Sequence, residues 1–371
     1  MARTAPQGRR FARGLFYLAS LAGGALLAHL TGPAHGASSP RSGGRVGVPL
    51  TAALGPELAH AAAAEPSARE PAVAPAHARP AQALSAALPS GAAPTEPTRV
   101  RGSADYRDGL IIDGATAHRL ILFSFDDGPD QRLTPLLLDR LDAVGVKAVF
   151  FLTASRIAGT GARERAQADL AREILARGHL IGSHTVDHLQ LPLLDDAAAL
   201  DQVAGAEDIF SRVLGLRPSL LRPPGGARSS RIDELLAARH YTTVLWNLSA
   251  GDPQVRSAQD VFNTFRRVLE RRERENGERG GILLLHDTHP WTVDAFQLIW
   301  ADLWARNCRL LAQGEELYDI VPDLSFFYQP RGAAPAGFIA APADPDPAVL
   351  AERQARLRAE ATTRCNASDG F

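Results

Sequence analysis

Cysteine and lysine are scarce in this 371-residue chain, and neither sign of charge is in excess. The two cysteines, Cys308 and Cys365, are too few for a disulfide framework and lack CxxC metal-site spacing. We expect two separate thiols, with a single bridge as the alternative. Lysine occurs once, at Lys147, and arginine supplies the other positive charges. With the abundant alanine, that bias points to a GC-rich genome more than to a function. The formal net charge is -1, so the chain lacks the basic excess expected of a nucleic-acid binder. It also lacks an internal repeat and an apolar run of the about 20 residues that a membrane-spanning helix needs.

The longest apolar run near the N-terminus covers residues 15–28, behind Arg9, Arg10 and Arg13 and ahead of small residues. Basic head, short apolar stretch and small residues make residues 1–37 a secretory signal peptide, with an uncleaved N-terminal membrane anchor as the alternative. No cysteine follows the run, which excludes a lipoprotein anchor. Residues 38–104 are rich in Ala, Pro, Gly and Ser without a sustained period, so they cannot bury enough apolar surface to offset their ordering entropy. We read them as a disordered linker. Residues 331–371 form a C-terminal tail that is Ala/Pro-rich at first and then, at 347–362, charged with a candidate helix.

Between residues 105 and 330 the pattern changes to that of a packed domain. Strand-like segments at 120–125, 148–153, 179–183, 220–222, 242–248 and 281–285 alternate with helical ones at 132–144, 164–177, 196–214, 230–239, 257–274 and 292–306. Ser230 is the expected cap of one helix and Ser257 of another, each with an Asp three residues on. Residues 308–311 are a candidate last strand. The alternation predicts an α/β domain with a parallel sheet and covering helices. Six or seven such units favour a distorted, TIM-barrel-like (β/α) barrel of about seven parallel strands.

Polar residues recur where these strands end: Asp126 with Asp127, His184 with His188, Arg222, Asp252, and His286 with Asp287. The C-terminal ends of the strands are where a parallel barrel builds its active site. Adjacent carboxylates leaving a strand point in different directions, so one can hold a metal while the other faces substrate. His184 and His188 are four apart, which on a helical turn places both rings on one face. With one carboxylate they make a three-ligand site with open positions, the plan of a catalytic zinc or similar centre. The Pro-Pro-Gly-Gly run after Arg222 permits close approach to a ligand, and a backbone N–H there is a candidate oxyanion donor. A histidine at 286 is a candidate acid for a leaving group. Taken one at a time, these motifs are also explained as a helix cap, loop histidines or a plain turn. Their convergence on strand ends is the argument for a site. His179 we expect to be buried and structural.

In this order, Phe125-Asp126-Asp127-Gly128-Pro129, His184-Thr185-Val186-Asp187-His188, Arg222-Pro223-Pro224, Trp246 to Asp252, and Leu284-Leu285-His286-Asp287 resemble the polysaccharide deacetylase family, also called the NodB-homology domain or carbohydrate esterase family 4. The resemblance covers residues 119–290. It implies that Asp126 is the general base, that Asp127, His184 and His188 are metal ligands, and that Arg222 orients Asp126. It further implies that His286 is the general acid, that Asp252 tunes it, and that Leu284 lines a pocket for the acetyl methyl group. Trp246 and Gly225 join the substrate-binding set. The chain departs from the family at Gly225 and Pro253, where aromatic residues are usual, so catalytic roles carry over more directly than substrate identity.

The implied activity is hydrolysis of the acetamide of N-acetylated sugars. The implied cofactor is a divalent metal, zinc first, with cobalt, nickel or manganese as alternatives. The implied partner is a polysaccharide: peptidoglycan, a chitin-like glycan or an exopolysaccharide. Competing readings are a hydrolase of a non-sugar amide on the same fold and a non-catalytic glycan-binding surface protein. We expect an exported monomer that is periplasmic, cell-surface or secreted.

Overall fold

The computed structural model describes residues 110–328, Ile339 and residues 345–368. The expected signal segment and linker lie outside the described residues. Among the described residues, no helix is long and apolar enough to cross a membrane.

The strands are β1 (Ile111–Ile112), β2 (Leu120–Asp126), β3 (Val149–Leu152), β4 (Leu180–Ser183), β5 (Leu220–Leu221), β6 (Thr242–Val244), β7 (Leu248–Ser249), β8 (Gly281–His286) and β9 (Asp319–Ile320). The helices are α1 (Leu133–Ala143), α2 (Ser155–Ala158), α3 (Ala162–Ala176), α4 (Asp196–Leu214), α5 (Ser230–Ala238), α6 (Ala258–Asn276), α7 (Pro290–Ala312) and α8 (Pro347–Ser368). All strands pair in parallel in one curled sheet, in the order β1-β6-β5-β4-β3-β2-β8-β7, with β9 joining β2. Helices follow the strands, and the whole is a distorted (β/α) barrel.

The seven residues of β2 are all buried, as a parallel strand covered on both faces requires. Its side chains alternate between two cores. Ile121, Phe123 and Phe125 pack with Phe150, Phe265 and Phe296 beneath the helices. Leu120 and Leu122 join Val149, Phe151, Val244 and Ile282 in the other core. Ser124 and Asp126 continue that second stripe to the end of β2. On β8, His286 continues Ile282 and Leu284 in the same way, and Asp126 and His286 are register partners.

Among the described residues nine strands stand where about seven were expected, because β1, β7 and β9 are two-residue strands with no readable period. The expected strand at 242–248 breaks after Val244. There the carbonyls of Val244 and Leu245 accept from Arg222 (3.1 and 3.2 Å) instead of extending a ladder. Asn247 then bonds the edge of β8 with its side chain, donating to Gly280 O and accepting from Ile282 N. Residues 308–311 are not a strand: they continue α7, which runs unbroken to Ala312. Helix α5 is capped by Ser229, one residue earlier than expected, whose hydroxyl accepts from Ile232 N.

The cysteines correct the expectation of separate thiols. Helix α8 returns against α7 and the start of β9, and Cys308 and Cys365 form a disulfide with their Cα atoms 5.7 Å apart. Arg353 pairs with Asp319 through two bonds (2.6 and 2.9 Å), and Gln354 bonds both backbone groups of Leu317.

Candidate active site

The strand ends gather the expected residues at one place. Asp126 is the last residue of β2, and Asp127 leaves the strand with φ 72°. That left-handed step turns the second carboxylate away from the first. Asp126 is buried and accepts from Arg222 Nη1 at 2.7 Å. Asp127 Oδ1 instead faces His184 Nε2 at 3.5 Å and His188 Nε2 at 3.3 Å. The Gly128 that follows is required by packing: a Cβ there would lie 2.3 Å from Asp287 Oδ2.

The helical turn assumed for His184 and His188 does not exist. Residues 184–190 are irregular, and Thr185 and His188 have φ 65° and 59°. These two left-handed residues bring the rings to 4.8 Å between centroids. Gln202 of α4 pins the loop, accepting from Asp187 N (2.9 Å) and donating to Asp187 Oδ2 (3.0 Å).

The donor set fits a divalent cation. Asp127, His184 and His188 offer three ligand atoms within 4.8 Å of one another. Asp127 Oδ1 is buried without a hydrogen-bond partner. His184 Nδ1 donates to Arg222 O at 2.7 Å, which leaves Nε2 as a lone-pair donor. Burial lowers the His184 pKa, against the nearby Asp126 and Asp127 charges, and so favours the neutral ligand form. Two imidazoles and one carboxylate suit zinc and its neighbours.

Arg222 is fully buried, with Cζ 4.1 Å from the Phe151 ring centroid and 5.5 Å from that of Trp246. Besides Asp126 it donates to Ser124 Oγ at 2.9 Å. Its guanidinium is therefore fixed on every side, and it fixes Asp126 in turn.

Opposite, His286 is gripped twice by Asp252. Its Nδ1 donates to Asp252 Oδ1 (3.0 Å) and its backbone N–H to Oδ2 (2.7 Å). Thr292 Oγ1 donates to Oδ2 at 2.7 Å, and Trp291 Nε1 to the Asp252 carbonyl at 2.7 Å. Burial works to lower the His286 pKa, but the hydrogen bond and charge of Asp252 outweigh it and push the value up to about 9. The ring is thus a cation near neutral pH, with Nε2–H available. His179 is buried as expected, accepts from Ala148 N at Nδ1, and is lowered to about 4, chiefly by burial.

Leu284 is buried on β8 beside Ser124. Gly225 is exposed in a turn, Pro224–Gly226, with φ 64°. Trp246 is half-buried and packs close to Gly226. Sequence reasoning missed Ser124, Gln202, Trp291 and Thr292. Only Ser124 carried a signal, lying two residues before Asp126 on the same strand face. It also missed the stack of His289 on Trp291 (centroids 4.9 Å apart), with the His289 ring 6.0 Å from that of His286. The segment after β8 thus sets aromatic surface beside His286 and Asp252.

A polysaccharide deacetylase family model matches residues 113–244. A peptidoglycan-N-acetylglucosamine deacetylase of Bacillus cereus is 30% identical over 202 residues, 54% of this chain and 88% of that protein. A second protein of that name from the same organism is 29% identical over 195 residues, 52% of this chain and 66% of that protein. The solved structure of a chitin deacetylase from Colletotrichum lindemuthianum is 27% identical, covers 54% of this chain and 87% of that one, and superposes with a TM-score of 0.47. This chain belongs to the polysaccharide deacetylase family, hydrolases of carbon–nitrogen bonds other than peptide bonds.

Proposed function

We propose that the chain hydrolyses the acetamide of N-acetylated sugars in a polysaccharide and releases acetate, with a divalent cation held by Asp127, His184 and His188. The observation that carries this reading is the division of labour at the end of β2. Three ligand atoms converge on a common point, beside a carboxylate that is not one of them and is held by Arg222.

A cation on these ligands, zinc first and cobalt, nickel or manganese as alternatives, would supply Lewis acidity when bound. Asp126 takes a proton from the attacking water, whose oxygen adds to the acetyl carbon. The Gly225 N–H donates to the oxygen that gains charge. His286, kept protonated by Asp252, gives its Nε2 proton to the sugar nitrogen as the C–N bond breaks. Acetate and a free amine leave. Arg222 positions Asp126, Leu284 bounds the acetyl methyl group, and Trp246 flanks the sugar.

Relatives named as peptidoglycan and chitin deacetylases support a polysaccharide substrate. We infer export, with residues 1–37 as signal or anchor, 38–104 as linker, 105–330 as the catalytic domain and 331–371 as tail. The disulfide supports an oxidising compartment.

The test is acetate release from N-acetylglucosamine oligomers by the metal-loaded protein. Release that stops on chelation and returns with metal supports the reading. Metal retained without release contradicts it and favours a non-sugar amide, for which the bare position at Gly225 leaves room.

A further inference from the structure

Strands β2 and β8 run side by side, and each is followed by a carboxylate just past its last residue. Asp126 and His286 are register partners, so Asp127 and Asp287 leave neighbouring strands at the same level. Asp127 is a ligand in the mechanism above, and Asp287 has no part in it. Asp287 is completely buried, and its Oδ1 has no hydrogen-bond partner, as is also true of Asp127 Oδ1. Its other oxygen ends a directional relay. The Asp130 N–H donates to Thr134 Oγ1 at 2.7 Å, so the single hydroxyl proton of Thr134 is turned to Asp287 Oδ2. The carboxyl also lies against Gly128, where a Cβ would meet its two oxygens at 2.3 and 2.4 Å. Asp287 is therefore seated against the turn that follows Asp127.

That turn has other supports. Thr153 N donates to Gly128 O at 3.2 Å, and Gln167 Nε2 donates to Pro129 O at 2.8 Å. Asp130 Oδ1 accepts from Arg132 N and Leu133 N, each at 3.0 Å. A buried acid with one bare oxygen costs folding free energy, and an amide of the same shape would still accept from Thr134 at lower cost. Burial pushes the Asp287 pKa up to about 7, against the Thr134 hydrogen bond and the Arg156 charge, and the charges of Asp127 and Asp130 add to the rise. Asp287 and Asp127 thus repel each other. A divalent cation on Asp127 reverses the sign of the local field and is attracted by both carboxylates.

We propose that Asp287 strengthens cation binding at Asp127, His184 and His188 by its charge, acting through Asp127 without being a ligand. This rests on the metal-site reading above and adds a residue outside the converging ligand group. Asp287 is a positioning residue: it takes no part in the proton transfers.

The experiment strips the full chain with a chelator and measures two quantities at pH 8: zinc affinity, by competition with a chromophoric chelator, and the thermal midpoint of the metal-free protein. The parent is set beside Asp287→Asn, which keeps the shape and an acceptor for Thr134 but loses the charge, and Thr134→Val, which breaks the relay but keeps the charge. Asp287→Asn is expected to bind zinc about tenfold or more weakly, the usual scale for a group behind a metal ligand, with a metal-free midpoint equal to or above the parent's. Thr134→Val is expected to keep zinc affinity within about threefold while its midpoint falls. A residue with a merely structural role would give the opposite pattern. An Asp287→Asn variant that binds zinc as the parent does, or one whose affinity and midpoint fall together, overturns the proposal and leaves the metal site intact. A Thr134→Val variant that loses as much affinity as Asp287→Asn also overturns it, because the shape of the turn and not the charge would then govern binding. A parent that binds no zinc overturns both this proposal and the metal-site reading.

Discussion

Asp126 and Asp127 are adjacent in the chain, yet one is held by Arg222 at 2.7 Å and the other faces two histidines at 3.3 and 3.5 Å. The cause is local: Asp126 ends β2 in an extended conformation, and Asp127 steps into the left-handed region at φ 72°. Two identical side chains thereby acquire different chemistry. Asp126 is buried against a fixed cation, while Asp127 has a lone, unpartnered oxygen pointed at imidazoles.

Asp127→Ala, His184→Ala and His188→Ala should each lose the bound cation. Elemental analysis after dialysis, beside the parent at full occupancy, checks this. Full occupancy in all three variants would remove the site.

The Arg222–Asp126 pair should show strong coupling in stability. Both side chains are almost completely buried, and removing one partner strands the other charge at a cost of about 3–5 kcal/mol. Arg222→Met should therefore lower the thermal midpoint by roughly 10 °C. The double variant Arg222→Met/Asp126→Asn, which has no stranded carboxylate, should recover part of that loss. Equal midpoints for the single and double variants would mean that Arg222 acts through its bonds to Val244 and Leu245 instead.

His286, raised to about 9, sets an alkaline limit. As general acid it must be protonated, so acetate release should fall as pH rises through about 9. Asp252→Asn removes the charge that holds the proton and should move this limit toward lower pH. The same pair adds stability that is complete below the ordinary histidine value of 6.5 and is lost as pH rises through 9. A pH–rate profile for parent and variant reads the shift, and identical alkaline limbs would exclude His286 as the acid.

Much of the barrel was legible because β2, β8 and the long helices carry strong periods and clear stops, such as the left-handed Gly215 and Gly277. Two-residue strands leave no period, which hid β1, β7 and β9. The candidate metal triad was legible as residue types at strand ends, but the helical turn expected for the histidines is absent. Their convergence depends on two left-handed residues and on Gln202, which the i, i+4 spacing does not encode. The disulfide was illegible because pairing depends on how α8 returns to α7, not on the separation of the cysteines.

The disulfide gives a separate test of the tail. It closes a loop of 57 residues, for which chain entropy predicts about 4 kcal/mol of stabilisation. Cys365→Ser should lower the denaturation midpoint accordingly and leave kcat within about twofold, since α8 contributes no residue to the site. A large fall in kcat with an unchanged midpoint would tie α8 to catalysis.

The most direct test of the central claim sets Asp126→Asn beside Asp127→Asn and measures metal content and the rate of acetate release in both. Asp126→Asn should keep the cation and lose about 10²–10⁴-fold in rate, the usual cost of removing a general base. Asp127→Asn should lose affinity for the cation and activity together. An Asp126→Asn variant that loses its metal while Asp127→Asn keeps it would contradict the assignment, and two variants with undiminished rates would contradict the mechanism.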